Sequence, residues 1–132
     1  MTENIPLSLP KNAERLEAEI GVVVPSTKGV KTQRIVNNTE MNKRVNDVRK
    51  YLSKIFGGYT SVNAVGGYVM KRGNKLVQED VVIVTSFGDS GTARDKIKQN
   101  KLLNKMKRWT IEWNQESTGL LWENDFIRIS RK

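Results

Sequence analysis

Valine and isoleucine crowd into two places in this chain, and elsewhere the apolar residues are spaced out. Val22-Val23-Val24 and Val81-Val82-Ile83-Val84 are unbroken apolar runs. Such runs read as strands that offer side chains to both faces of a sheet. The stretch Gly57–Phe87 surrounds the second run and reads as two strands, Tyr59–Lys71 and Leu76–Phe87, turning at Arg72-Gly73-Asn74. Gly66-Gly67 interrupts the first of these strands, which suggests a bulge or a close backbone approach.

Helical spacing appears on either side of this hairpin. Met41, Val45, Val48, Leu52 and Ile55 follow one another at intervals of 4, 3, 4 and 3. They predict a helix over Thr39–Phe56, capped by Thr39 or Asn38 and stopped by Gly57-Gly58. A second helix is predicted over Ala93–Asn114, with Leu102, Leu103, Met106, Trp109 and Trp113 as its buried stripe. Ile97 lies off that stripe, so the early turns are expected to bend near Asn100 or to meet another surface. Ile20–Ser26 is the first strand, and Ser117–Ser130 the last strand or a hairpin turning at Glu123-Asn124-Asp125.

The resulting order is β-α-β-β-α-β. It implies an α+β, ferredoxin-like layer: an antiparallel four-stranded sheet with two helices on one face and strands one and three at its centre. Residues 1–19 read as an N-terminal arm, with alternating Ile5, Leu7 and Leu9, prolines at 6 and 10, and one or two helical turns within Lys11–Glu19. Residues 20–132 read as the domain. Two helices can cover only one sheet face, yet both valine runs address both faces. A second cover is therefore expected, by a homodimer joined through the sheet face or by the arm.

Composition removes several kinds of chemistry. The chain has neither cysteine nor histidine, so a thiolate nucleophile, a Ser-His-Asp triad and the usual zinc ligand sets are excluded. Nothing calls for a cofactor or a resident metal. No apolar run approaches the ~20 residues of a membrane span, and the N-terminus lacks the apolar segment of a signal peptide. A cytoplasmic location follows, in the host cell if the source is viral, with no membrane partner.

Charge suggests a partner. The net charge is +9, from 23 basic and 14 acidic residues. Arg94, Lys98, Lys101, Lys105 and Arg108 recur at intervals of 4, 3, 4 and 3 with no acid among those positions. On one continuous helix they would line a ridge of roughly 21 Å. Lys28, Lys31 and Arg34 sit in a long connection, Thr27–Asn38, that contains no acid. Together these predict a module that binds DNA or RNA through phosphates with little sequence preference. The opposing reading is a solvated helix face and a solvated loop. The valine-rich central strands carry no aromatic platform for stacking bases before Phe87, and Tyr51, Trp109, Trp113 and Trp122 read as core.

Two weaker constellations remain. Glu79, Asp80, Asp89, Glu116, Glu123 and Asp125 lie near strand ends, where two or three could converge on Mg²⁺; scattered surface carboxylates are the plainer reading. Gly88–Thr92, before the second helix, offers backbone amides to an anion but matches no nucleotide-binding motif.

Four short motifs carry a family resemblance: Phe56-Gly57-Gly58, Val65-Gly66-Gly67, Glu79-Asp80-Val81-Val82 and Gln115-Glu116-Ser117. Over Ile20–Ile129 the chain resembles a loose family of small proteins of unknown function from bacteria, archaea and their viruses. The resemblance implies a ferredoxin-like fold and an origin in a virus or mobile element, and no activity.

Two further functions stand beside nucleic-acid binding. One is a small-ligand or nucleotide-binding protein, or a carboxylate-dependent enzyme, with its site between Gln115-Glu116-Ser117 and the Gly66-Gly67 strand. The other is a structural or inhibitory protein that binds an acidic host partner.

Overall fold

The structure is a computed structural model, and it describes residues 7–14, 16, 18–69, 73–88 and 90–132. The first valine run lies in β1 (Ala18–Pro25) and the second in β5 (Leu76–Gly88). The two pair antiparallel, with Val22 opposite Val84 and Val23 opposite Ile83. β5 also forms the predicted hairpin with β4 (Thr60–Val69). The opposite edge of β1 pairs with β6 (Ser117–Trp122), which turns back into β7 (Asp125–Ser130). The sheet order is β4-β5-β1-β6-β7. This is the ferredoxin-like arrangement with a fifth strand, not four. The last segment is a full hairpin because Glu123 adopts φ 54 at its turn, and β7 becomes the sheet edge.

α1 (Asn38–Phe56) packs Val45, Val48, Leu52 and Phe56 onto β1 and β5. Its cap is Asn37, one residue before the expected pair; the Asn37 side chain accepts from the Glu40 amide at 2.8 Å. Gly57 ends the helix in the left-handed region at φ 96, as expected.

The second helical segment is not continuous. α2 (Ser90–Arg94) stops after five residues, and α3 (Lys96–Glu112) starts afresh. Asp95 causes the break: its carboxylate caps α3 by accepting from the Ile97 and Lys98 amides. The kink thus falls at Asp95 and not near Asn100. α3 buries Leu102, Met106 and Trp109. Leu103 is 39% exposed and leaves the predicted stripe. Trp109 stacks on Trp113 at 5.4 Å and meets Tyr51 of α1 edge-on at 5.5 Å, so both long helices share one core on one sheet face. Ile20, Val22, Val24, Val84 and Leu120 line that face and are fully buried.

Among the described residues, the other face carries partly buried and exposed apolar side chains. The register aligns Val62, Ile83, Val23 and Gly119 across it, with Thr60, Thr85, Gly21, Leu121 and Phe126 in the next row. Val62 is 51% and Phe126 64% exposed.

Gly66 and Gly67 form no bulge, since β4 pairs with β5 without interruption from Thr60 to Val69. The Thr27–Asn38 connection is not an open loop either. It folds into a small hairpin, β2 (Thr27–Lys28) with β3 (Arg34–Ile35). Lys11–Glu14 form a turn and no helix, and Ala18 and Glu19 already belong to β1. Residues 1–6 of the predicted arm lie outside the described residues, and so do Arg72 of the predicted turn and Asp89. Among the described residues, no helix is long and apolar enough to cross a membrane.

Candidate functional site

The cationic ridge does not survive folding as one row. Arg94 belongs to α2, beyond the break at Asp95. Lys105 turns its ammonium onto the faces of Tyr51 and Trp109, at 5.8 and 5.5 Å. Lys98, Lys101 and Arg108 remain on α3, Lys98 partly buried and the other two exposed. In the small hairpin Lys28 pairs with Glu40 at 3.2 Å, while Lys31 and Arg34 are exposed.

A different group comes together where the β4–β5 hairpin, the β2–β3 hairpin and the turn before β6 meet. In the β4–β5 register Gly66 lies opposite Glu79, and Tyr68 opposite Val77, so Tyr68 and Glu79 point to the same sheet face. Thr27 donates its hydroxyl to Oε2 of Glu79 at 2.7 Å. The Glu79 and Glu116 charges both act on the Tyr68 phenol, and Gln33 opposes them.

Buried Arg44 holds these strands in place. Its guanidinium is 2% exposed and donates to the carbonyls of Pro25 and Thr27, each at 2.8 Å, and of Trp113 at 3.2 Å. Glu40 pairs with it at 3.3 Å. Gln115, also buried, donates to the Thr27 and Trp113 carbonyls. The Gly29 amide donates to the Asn114 carbonyl at 2.9 Å. The segment 113–116 is thus tied to the end of β1 and to the small hairpin by buried hydrogen bonds, which are costly to leave unmade.

Electrostatics assigns a protonation state to the tyrosine. Partial burial, then the Glu79 charge, push the Tyr68 phenol above its usual range; Gln33 opposes this, and Glu116 adds to the rise. Tyr68 therefore keeps its proton at neutral pH and offers an O–H donor beside two carboxylates. For Glu40, burial favours the neutral form, but Lys28 and Arg44 outweigh it and hold the carboxyl below its ordinary range. Burial lowers Arg44, against the opposing pull of Glu40 and Glu79.

The residues expected for a small-ligand site are thus partly brought together. Gly66 lies across from Glu79, and the charge of Glu116 acts on Tyr68. Gly67 follows on β4, and Ser117 opens β6 opposite Ser130. Three of the four resemblance motifs contribute: Val65-Gly66-Gly67, Glu79 and Gln115-Glu116. Tyr68, Thr27, Gln33 and Arg44 were not singled out from sequence. Counting back from the hairpin turn would have set Gly66 against Glu79 and placed Tyr68 nearby; for Gln33 no signal exists. Among the described residues, no three acidic residues gather closely enough to hold a metal ion. Asp80 faces away from Glu79 by strand alternation, and Glu123 and Asp125 lie at the β6–β7 turn.

No family model matches the chain. No curated protein matches it either. Solved structures do. A phage SAM lyase in complex with S-methyl-5'-thioadenosine superposes with a TM-score of 0.61 at 19% identity, covering 93% of this chain and 96% of that one. A phage SAM lyase in the apo state gives 0.57 at 19% identity, covering 89% and 94%. The chain therefore has, along nearly its whole length, the fold of a small phage protein.

The expectation of a nucleic-acid-binding module is overturned. The neighbours that share this fold from end to end are lyases, one with a small nucleoside bound, and the cationic row is broken at Asp95.

Proposed function

We propose that this protein is a small-molecule enzyme that cleaves a carbon–sulfur bond in a sulfonium nucleoside of the S-adenosylmethionine type. The observation that carries this reading is the corner in which Glu79, held by the Thr27 hydroxyl, shares a sheet face with Tyr68. The carboxylates of Glu79 and Glu116 both act on that tyrosine, on a chain of net charge +9. They suit a ligand with a fixed positive charge, and a sulfonium is one. The end-to-end fold likeness to lyases supports the same class.

The chemistry asks little of the protein. If S-methyl-5'-thioadenosine is the product, the bond that breaks joins sulfur to Cγ of the amino-acid arm. The bonding pair stays on sulfur, which becomes a neutral thioether. No water or oxidant enters, so the arm leaves by closing on its own carboxylate or by giving up a Cβ proton. Glu79 and Glu116 hold the cation, Tyr68 donates to an oxygen of the arm or ribose, and the neutral thioether is then held less strongly than the substrate. Incubation with S-adenosylmethionine should release S-methyl-5'-thioadenosine, detected by mass, and proton spectra of the arm separate a lactone from an alkene. No release from the native protein would refute this reading.

Self-association through the sheet face opposite the helices, the alternative expected from sequence, is supported by the exposed Val62 and Phe126. The site opens on that face, so a second copy seated there would shield it from water.

A further inference from the structure

An open cleft of about 580 Å³ lies along one flank of α1, beside the sheet edge β4. Asn46, Arg49, Lys50, Ser53 and Lys54 of the helix line it, together with Tyr59 just ahead of β4. The charged part of this lining is three cations and no acid. The first half of α1 is built differently: there Lys43 pairs with Asp47 at 3.0 Å and Arg44 with Glu40 at 3.3 Å. Among the described residues, Arg49, Lys50 and Lys54 take part in no salt bridge. Lys50 and Lys54 stand four residues apart, a spacing at which like charges on a helix repel. The negative end of the helix dipole stabilises Lys54, which is in the last turn, but Arg49 and Lys50 lie before that turn.

Arg49 is held ready. Its Nε donates to Oγ of Ser61 on β4 at 2.9 Å, and its Nη1 to Oδ1 of Asn46 at 3.4 Å. The guanidinium carbon lies 5.2 Å from the centre of the Tyr59 ring. All three partners are neutral, so they fix the plane of the guanidinium and leave its charge uncancelled. Among the described residues, these bonds engage two of its five N–H groups and leave three to meet a ligand. A fixed fork flanked by two ammonium groups, in a cleft that concentrates positive potential, suits the oxygens of a doubly charged tetrahedral anion. We propose that this cleft binds phosphate, as the inorganic dianion or as the head of a small phosphate monoester, with Arg49 as the fork and Lys50 and Lys54 as flanking charges. Tyr59 and Tyr68 lie at opposite ends of β4, so the site is separate from the Tyr68 corner and does not depend on the sulfonium reading.

The test is a titration of the full chain with inorganic phosphate and with glycerol 3-phosphate, followed in nitrogen–proton correlation spectra at fixed ionic strength. Either probe should shift the Arg49 Nε–H and Ser61 amide resonances, and the shifts should saturate at millimolar concentration. Tighter binding of glycerol 3-phosphate assigns the site to an ester, and equal binding assigns it to the phosphate group alone. Arg49→Lys keeps the charge and loses the fork. Read at the Ser61 amide, it should weaken binding by about tenfold or more, the loss of one charge-assisted hydrogen bond. Lys54→Gln removes an exposed flanking charge and should weaken binding by a smaller factor. Shifts that grow without saturating, or equal affinity in the native protein and Arg49→Lys, would overturn the assignment. Thermal midpoints show whether Arg49→Lys has stayed folded. If it has not, Lys54→Gln decides in its place, and an unchanged affinity there overturns the site.

Discussion

Thr27 and Glu79, 52 residues apart in sequence, meet through a 2.7 Å hydrogen bond from the threonine hydroxyl to Oε2 of the glutamate. The bond joins β2 to β5 and holds the Glu79 carboxylate on the sheet face that carries Tyr68. Thr27→Val keeps the shape and removes the donor. Hydrogen bonds to charged groups contribute about 1.5–3 kcal/mol, and partial solvent access puts this one at the lower end. We expect a loss of about 1–2 kcal/mol by urea unfolding, with a larger proportional loss of turnover as Glu79 loses its orientation.

Arg44 supports the same corner from behind. Arg44→Met would leave the Pro25 carbonyl without its buried donor and the Thr27 and Trp113 carbonyls with Gln115 alone. A destabilisation of about 3 kcal/mol or more is expected, visible as a lower urea midpoint with an unchanged slope. A change below about 1 kcal/mol would mean that water replaces the guanidinium.

Glu79→Gln and Glu116→Gln separate charge from shape. Each should lower turnover of S-adenosylmethionine by about a hundredfold or more if it holds or deprotonates the reacting arm. Each should also lower the Tyr68 phenol toward its ordinary value, because a neighbouring negative charge is gone. Ultraviolet titration of tyrosinate absorbance reads this second effect without substrate.

Stability should fall at both ends of the pH scale, for different reasons. The Glu40 carboxyl is lowered from its ordinary 4.5, so its contribution is complete above pH 4.5 and is lost as pH drops through the lowered native value. Glu40→Gln should flatten that acid limb. Tyr51 is raised from 10.0 by burial, so its contribution is present below pH 10 and is lost as pH climbs through the raised native value. Tyr51→Phe should soften the alkaline limb. Thermal midpoints from pH 3 to 11 check both.

The sheet face opposite the helices should make the protein self-associate. Sedimentation is expected to show a species heavier than the 15.0 kDa chain, and Val62→Glu, on the edge strand β4 of that face, should return it to a monomer. A monomer at all concentrations would remove the reason to invoke a second copy.

Local order was readable in the residues themselves. The valine runs, the helical spacing from Met41 to Ile55 and the stop at Gly57 act over neighbouring positions, so periodicity and propensity suffice to place them. The break at Asp95 was missed because a capping aspartate inside an apolar-periodic segment looks like any surface acid. The cationic row was misread for the same reason, since even spacing on a line of text assumes one unbroken helix.

The amino-acid order, through short-range sterics and apolar periodicity, was enough to determine an α+β layer with two valine-rich strands at its centre. Only the folded chain decided that Thr27, Gln33, Tyr68, Glu79 and Glu116 share one corner. Their meeting depends on strand register, on a small hairpin anchored by Arg44, and on desolvation. Those are properties of packing across long stretches of chain, and no local signal encodes them.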